Sequence, residues 1–201
     1  MESIIYNDRR ITKEDIFYYV YGVLSTPEYR ERFGEDVKKM LARVPFAKDF
    51  WAFAEAGKRL GELHVNYESV KHYPVDLGDT PLSPGTKDTI HRVEKMKILD
   101  VDGEKAIRYN ENFTVRGIPP EAWEYVVNGK SALEWIVERY QDATDRDSGI
   151  RNDANAWGRE HGNPQSGLPG GPRYPLDLIE KVTWVSVETV GILRGLPELG
   201  I

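Results

Sequence analysis

Apolar and polar residues alternate at helical spacing along the early part of the chain, at strand spacing in its middle, and at helical spacing again near its end. Ser3 to Asn7 alternates over a length that suits a very short strand. Thr12 followed by Asp15 forms a capping box and predicts a helix start. EDIFYYVYGVL then sets Ile16, Tyr19, Tyr21, Val23 and Leu24 on a broad aromatic-rich stripe that fades at Ser25-Thr26-Pro27. Pro27 opens a second helix, PEYRERFGEDVKKMLARV, with Tyr29, Phe33, Val37, Met40 and Leu41 on one side, Gly34 as a weak point and Pro45 as its stop. A third helix runs from Lys48 or Asp49 to about Tyr67, its apolar face marked by Phe50, Phe53, Leu60 and Leu63.

Prolines and glycines crowd residues 71–90, which read as a long excursion and the first boundary. Beyond it the period changes to two. Met96-Lys97-Ile98 and Ala106-Ile107-Arg108-Tyr109 flank Asp102-Gly103 in hairpin-turn position, and Phe113-Thr114-Val115 supplies a third strand. Ile118-Pro119-Pro120 ends this region, and Pro120 to Trp123 begins a short helical turn. Ser131 with Glu134 caps SALEWIVERYQ, whose Leu133, Ile136, Val137 and Tyr140 face a core. From Asp142 to Arg173 charge, Asn, Gly and Pro dominate, which predicts a long loop anchored by Ile150, Trp157 and Leu168. The closing YPLDLIEKVTWVSVETVGILRGL carries β-branched residues that favour a strand at a spacing that permits a helix; helix is the reading adopted. No fixed-period repeat is visible.

Composition narrows the chemistry. The 201 residues include no cysteine, which excludes disulfides, zinc-thiolate and iron-sulfur sites and a thiol nucleophile. The first residues lack a signal peptide's basic and apolar regions, and no apolar run reaches the length of a membrane span, so the expectation is a soluble, cytoplasmic protein. With 27 Lys and Arg against 33 Asp and Glu the formal charge is -6, so the surface as a whole does not attract nucleic acid, although a local basic face is compatible with it.

None of the four histidines forms an i,i+4 pair, and the carboxylates of Asp142, Asp145, Asp147 and Asp153 lack the spacing of a calcium loop. The glycine clusters lack a following Gly-Lys-Ser/Thr, and no nucleophile elbow surrounds a serine. The aromatics of the helical stretches read as core.

Basic residues fall in local groups. Lys95 and Lys97 share one face of a strand, and Arg108 and Asn110 share a face across its turn, a surface that either enters a nucleic-acid groove or is simply solvated. Arg30 with Arg32, and Arg146 with Arg151, are further phosphate or guanine-edge candidates. In Asp147 to Asp153, Asn152 offers an amide that either pairs with adenine or ties down the loop.

Five longer strings occur in order: DIFYYVYGVLSTPEYRERF, VPFAKDFWAFAEAGKRLGELHVNYE, YVVNGKSALEWIVERY, DATDRDSGIRNDANAW and PRYPLDLIEKVTWVSVETVGILRGLP. Together, from about 12 to 199, they resemble the C-terminal specificity domain of type ISP restriction-modification enzymes. The sequence departs from that pattern at Ala154, where a proline is common, at Ala156, where an acidic residue is common, and in an enlarged QSGLPGG insertion.

The resemblance implies the later portion of a DNA target-recognition domain, within a polypeptide that also carries nuclease, helicase-like ATPase and adenine methyltransferase parts. S-adenosylmethionine, ATP and Mg would belong to those parts, with no cofactor and no catalytic residue here: neither a Walker loop nor an Asn-Pro-Pro-Tyr-type motif is present. The expectation is an α+β fold, a helical scaffold with a small antiparallel β-sheet and long ordered loops, helical over about 12–70 and mixed over about 90–201. The expected partners are double-stranded DNA and the methyltransferase and helicase-like domains. Arg30, Arg32, Lys95, Lys97, Arg108, Arg146, Arg151 and Asn152 are the expected DNA contacts. Two other readings are an intramolecular docking module that does not read DNA and a catalytic domain with an unfamiliar site.

Overall fold

Two capping boxes start helices where the hydrophobic spacing predicts them. Thr12 Oγ1 accepts from the Asp15 amide at 3.2 Å while Asp15 Oδ2 accepts from the Thr12 amide at 2.9 Å, and Ser131 and Glu134 repeat the arrangement. These bonds from Thr12 hold the Asp15 carboxyl below its ordinary range. The computed structural model describes residues 5–6, 9–79, 88–161 and 173–200. They form two compact units, one of Met1–Asn66 with Thr189–Ile201 and one of Tyr67–Glu188.

In the first unit a two-residue pair, β1 (Ile5–Tyr6) with β2 (Arg9–Arg10), precedes α1 (Lys13–Ser25), α2 (Pro27–Val37) and α3 (Phe50–Val65). Thr26 closes α1 and caps α2, accepting from the Tyr29 amide, and Asp49 caps α3. The second helix is shorter than its apolar spacing predicts. Met40 is 54% and Leu41 93% exposed, so no partner surface holds further turns, and the helix stops at Val37. Tyr19, Val23, Tyr29, Trp51, Phe53 and Leu199 make the core, and Ala56 and Leu60 of α3 pack with Ile192. α1 and α3 approach closely where Gly22 faces Gly57.

The second unit holds the expected hairpin. β3 (Lys97–Val101), β4 (Glu104–Arg108) and β5 (Thr114–Val115) form an antiparallel sheet in chain order. Asp102 and Gly103, both at positive φ (57 and 86), make its tight turn. α4 (Glu121–Glu124), the short pair β6 (Val126–Val127) and β7 (Lys130–Ser131), and α5 (Ala132–Arg139) follow. Ile107, Tyr109, Phe113, Val115, Leu133 and Ile136 pack with Tyr174, Leu176 and Ile179 of α7 (Tyr174–Arg194). α7 is helical along its whole length: Leu176, Ile179, Val185 and Val190 are among residues buried on every side of it, a burial that outweighs its β-branched content. No helix among the described residues is long and apolar enough to cross a membrane.

The stretch after Asp142 is a correction to the long loop. It contains a hairpin, β8 (Asp142–Thr144) with β9 (Arg151–Asp153), followed by α6 (Ala154–His161). Each strand has three residues and is held by ion pairs and a side-chain-capped turn, so no apolar alternation marks it. Leu168 and the QSGLPGG insertion lie outside the described residues.

Candidate nucleic-acid interface

The register of the β3–β4 hairpin sets Lys97 directly opposite Arg108. Both side chains are exposed, and like charges facing each other across a ladder cost stability. They open onto a cleft of about 770 Å³ that is also lined by Lys95, Arg116, Asn110 and Asn112. Asp79, Glu94 and Glu111 share its wall, so four basic residues stand among three acidic ones.

Asn110 builds the cleft rather than facing a ligand. Its amide nitrogen donates to the Ile90 and Arg92 carbonyls at 2.7 and 3.0 Å, and its oxygen accepts from the Asn112 and Phe113 amides. Below it, Tyr109 is buried and gives its hydroxyl to the His91 carbonyl at 2.9 Å; burial holds that hydroxyl protonated. The segment before β3 is therefore fixed to the turn between β4 and β5.

The β8–β9 hairpin stands beside this cleft on two anchors. The buried Asn155 amide bonds both backbone groups of Val93, at 2.8 and 2.7 Å, and the Asp142 amide donates to the Glu94 carbonyl at 3.1 Å. Arg151 clamps Asp142 with Nε at 2.9 Å and Nη2 at 2.8 Å, and Arg92 approaches the same carboxylate at 3.3 Å. The Arg151 bonds hold the Asp142 carboxyl below its ordinary range.

Of the residues expected from sequence, Lys95, Lys97 and Arg108 come together in the cleft. Arg151 and Asn152 lie on β9 and Arg146 in the turn before it, all exposed. Arg30 and Arg32 are on α2 in the first unit, where Arg30 Nε donates to the Leu24 carbonyl at 3.4 Å and Arg32 lies 5.5 Å from the Phe33 ring. Arg116 was not legible as a contact: its place on the cleft follows from its backbone pairing with Asp76, across a stretch that carries no strand pattern.

A group of three metal-ligand-type side chains lies elsewhere in the second unit. His72, Asp177 and Glu180 bring ligand atoms within 4.8 Å of one another. The Arg173 guanidinium already supplies a cation there, 2.7 Å from Asp177 and 2.9 Å from Glu180. Burial pushes both carboxyls up and Arg173 opposes it.

The family model described as the Type ISP C-terminal specificity domain matches residues 2–167. Among solved structures, a nuclease-deletion mutant of the Type ISP restriction-modification enzyme LlaGI in complex with a DNA substrate mimic is 38% identical over 95% of this chain, with a TM-score of 0.75. The ATP-dependent Type ISP enzyme LlaBIII bound to DNA is 35% identical over 95%, TM-score 0.75. A DrdV–DNA complex is 34% identical over 94%, TM-score 0.70. This chain spans 14%, 12% and 18% of those three chains. No curated protein sequence matches it.

Proposed function

Because the chain belongs to the Type ISP C-terminal specificity domain family, we propose that it recognises double-stranded DNA by sequence for a restriction-modification methyltransferase and translocase. The observation that carries this is the Lys97–Arg108 pair. Two exposed cations across one ladder position cost stability, and a duplex backbone bound there relieves that cost while releasing counterions. Lys95 and Arg116 extend the basic surface, and the anchored β8–β9 hairpin supplies a feature narrow enough for the major groove. The solved relatives named above are in complex with DNA or with a DNA substrate mimic, which supports the same reading.

In this proposal the domain positions DNA and performs no bond chemistry. S-adenosylmethionine, ATP and Mg serve the methyltransferase, translocase and nuclease parts of a larger enzyme, which are its protein partners. The first unit favours a docking role alongside DNA reading: Leu41 and Phe46 are 93% and 99% exposed and Met40 stands next to them, an apolar run that suits a protein surface better than a phosphate backbone.

Titrating a labelled duplex with the chain at several salt concentrations tests the reading. Lys97→Ala combined with Arg108→Ala should weaken binding to all sequences and flatten the slope of log K against log salt by about 2. Affinity and slope identical to the parent, with the fold intact, would overturn it.

A further inference from the structure

The β8–β9 hairpin has two faces of opposite character. Thr144 pairs with Arg151 and Asp142 with Asp153, and on that face Arg151 bonds Asp142 bidentately and lies 3.7 Å from Asp153. Its charges answer one another. Strand alternation puts Ala143 and Asn152 on the other face, and Ile150 sits in the turn immediately before β9.

All three are exposed, Ile150 at 63%. The Asn152 side chain makes no hydrogen bond among the described residues. Ala143, directly opposite it, is too small to cover it.

This open face is held stiffly. Asp145 Oδ1 accepts from the Asp147 amide and from the Ser148 amide and hydroxyl, while the Asp145 amide donates to the Ile150 carbonyl at 2.8 Å. The Gly149 amide closes onto the Asp145 carbonyl at 3.0 Å, and Ser148 Oγ accepts from the Ile150 amide. Asn155 fixes the base of the hairpin to Val93. The tip thus satisfies its own polar groups and still presents one isoleucine and one amide to solvent. Preordered display of that pair lowers the ordering cost of binding.

We infer that this face reads an A·T base pair, or two adjacent ones, in the major groove. The Asn152 amide accepts from adenine N6 and donates to N7, and Ile150 packs on a thymine methyl. A two-stranded ribbon fits the major groove, where adenine shows that donor–acceptor pair and thymine that methyl group. The salt-bridged face makes Arg151 a positioning residue that stiffens the ribbon. The inference rests on the proposed DNA reading and assigns the base contacts within it.

The test is selection from a pool of randomised duplexes by the full chain and by its Asn152→Ala and Ile150→Ala variants. The parent should select a motif containing at least one A·T pair whose preference fades in both variants while the other positions persist. On the selected duplex, 7-deazaadenine at that pair should weaken parent binding roughly tenfold and leave Asn152→Ala unaffected. Deoxyuridine for thymine should cost a few-fold in the parent and nothing in Ile150→Ala, on the order of one buried methyl group. A motif unchanged in both variants overturns the hairpin's role and leaves DNA reading standing. A parent chain that selects no motif overturns sequence reading itself, and the hairpin assignment with it.

Discussion

His64 lies within the first unit with both ring nitrogens engaged, Nδ1 2.7 Å from the Tyr21 hydroxyl and Nε2 2.9 Å from Thr189 Oγ1. Burial disfavours its cation and lowers its pKa from the ordinary 6.5, with Arg30 adding to the effect. The unfolded chain therefore binds this proton first as pH falls. Stability should be lost as pH drops through 6.5 toward the folded value, and be fully retained above it. His72 is lowered too, by burial, and adds a slope of the same sign. Urea unfolding from about pH 7.5 to about pH 5.5 should show the parent weakening, with His64→Gln showing a shallower loss that leaves the His72 share. Equal slopes in the two proteins would remove His64 as a source. Nothing in the spacing around His64 announces this arrangement, because Thr189 is 125 positions away.

At the scale of elements, α1 and α3 depend on two glycines. A Cβ at Gly57 would lie 1.8 Å from the Tyr18 carbonyl oxygen and 2.8 Å from the Gly22 amide nitrogen, and one at Gly22 would lie 2.3 Å from the Phe53 carbonyl oxygen. These neighbours are backbone and cannot rotate away. Gly57→Ala should therefore destabilise by about 3 kcal/mol. Gly34, inside α2, is the contrast, because a methyl group there would meet nothing within 4 Å: Gly34→Ala should stabilise by up to about 1 kcal/mol. Chemical denaturation of both variants checks the pair, and equal shifts would refute the close-approach account. Helices with local start signals, at Thr12, Asp49 and Ser131, were legible because a cap and a periodic face lie within a few residues of each other. The β8–β9 hairpin was not, because its anchors, Val93 and Glu94, precede it by some fifty residues and it buries almost nothing apolar.

For the whole molecule, the net charge of -6 is a total that does not fix the sign of any one surface. The cleft shows the same mixture in miniature, with Asp79, Glu94 and Glu111 beside its four cations. Acidic groups at that position oppose phosphate contact on every sequence alike. Glu94→Gln with Glu111→Gln should raise affinity for scrambled duplexes a few-fold while raising affinity for a selected duplex no more, and so lower the ratio between them. Affinity for scrambled duplexes that stays the same in anisotropy titrations would remove these carboxylates from the balance. The sequence by itself determined the capped helices at Thr12, Asp49 and Ser131, the β3–β4 hairpin with its turn, and the family, since caps, periodicity, Asp102-Gly103 and long ordered strings are all local. Only the tertiary structure decided which cations share a surface: it put Arg116 beside Lys95, Lys97 and Arg108, paired Arg151 with Asp142 and left Ile150 and Asn152 exposed, the latter without a side-chain hydrogen bond among the described residues. Those outcomes depend on register and on hydrogen bonds between residues far apart in the chain, which one-dimensional spacing does not encode.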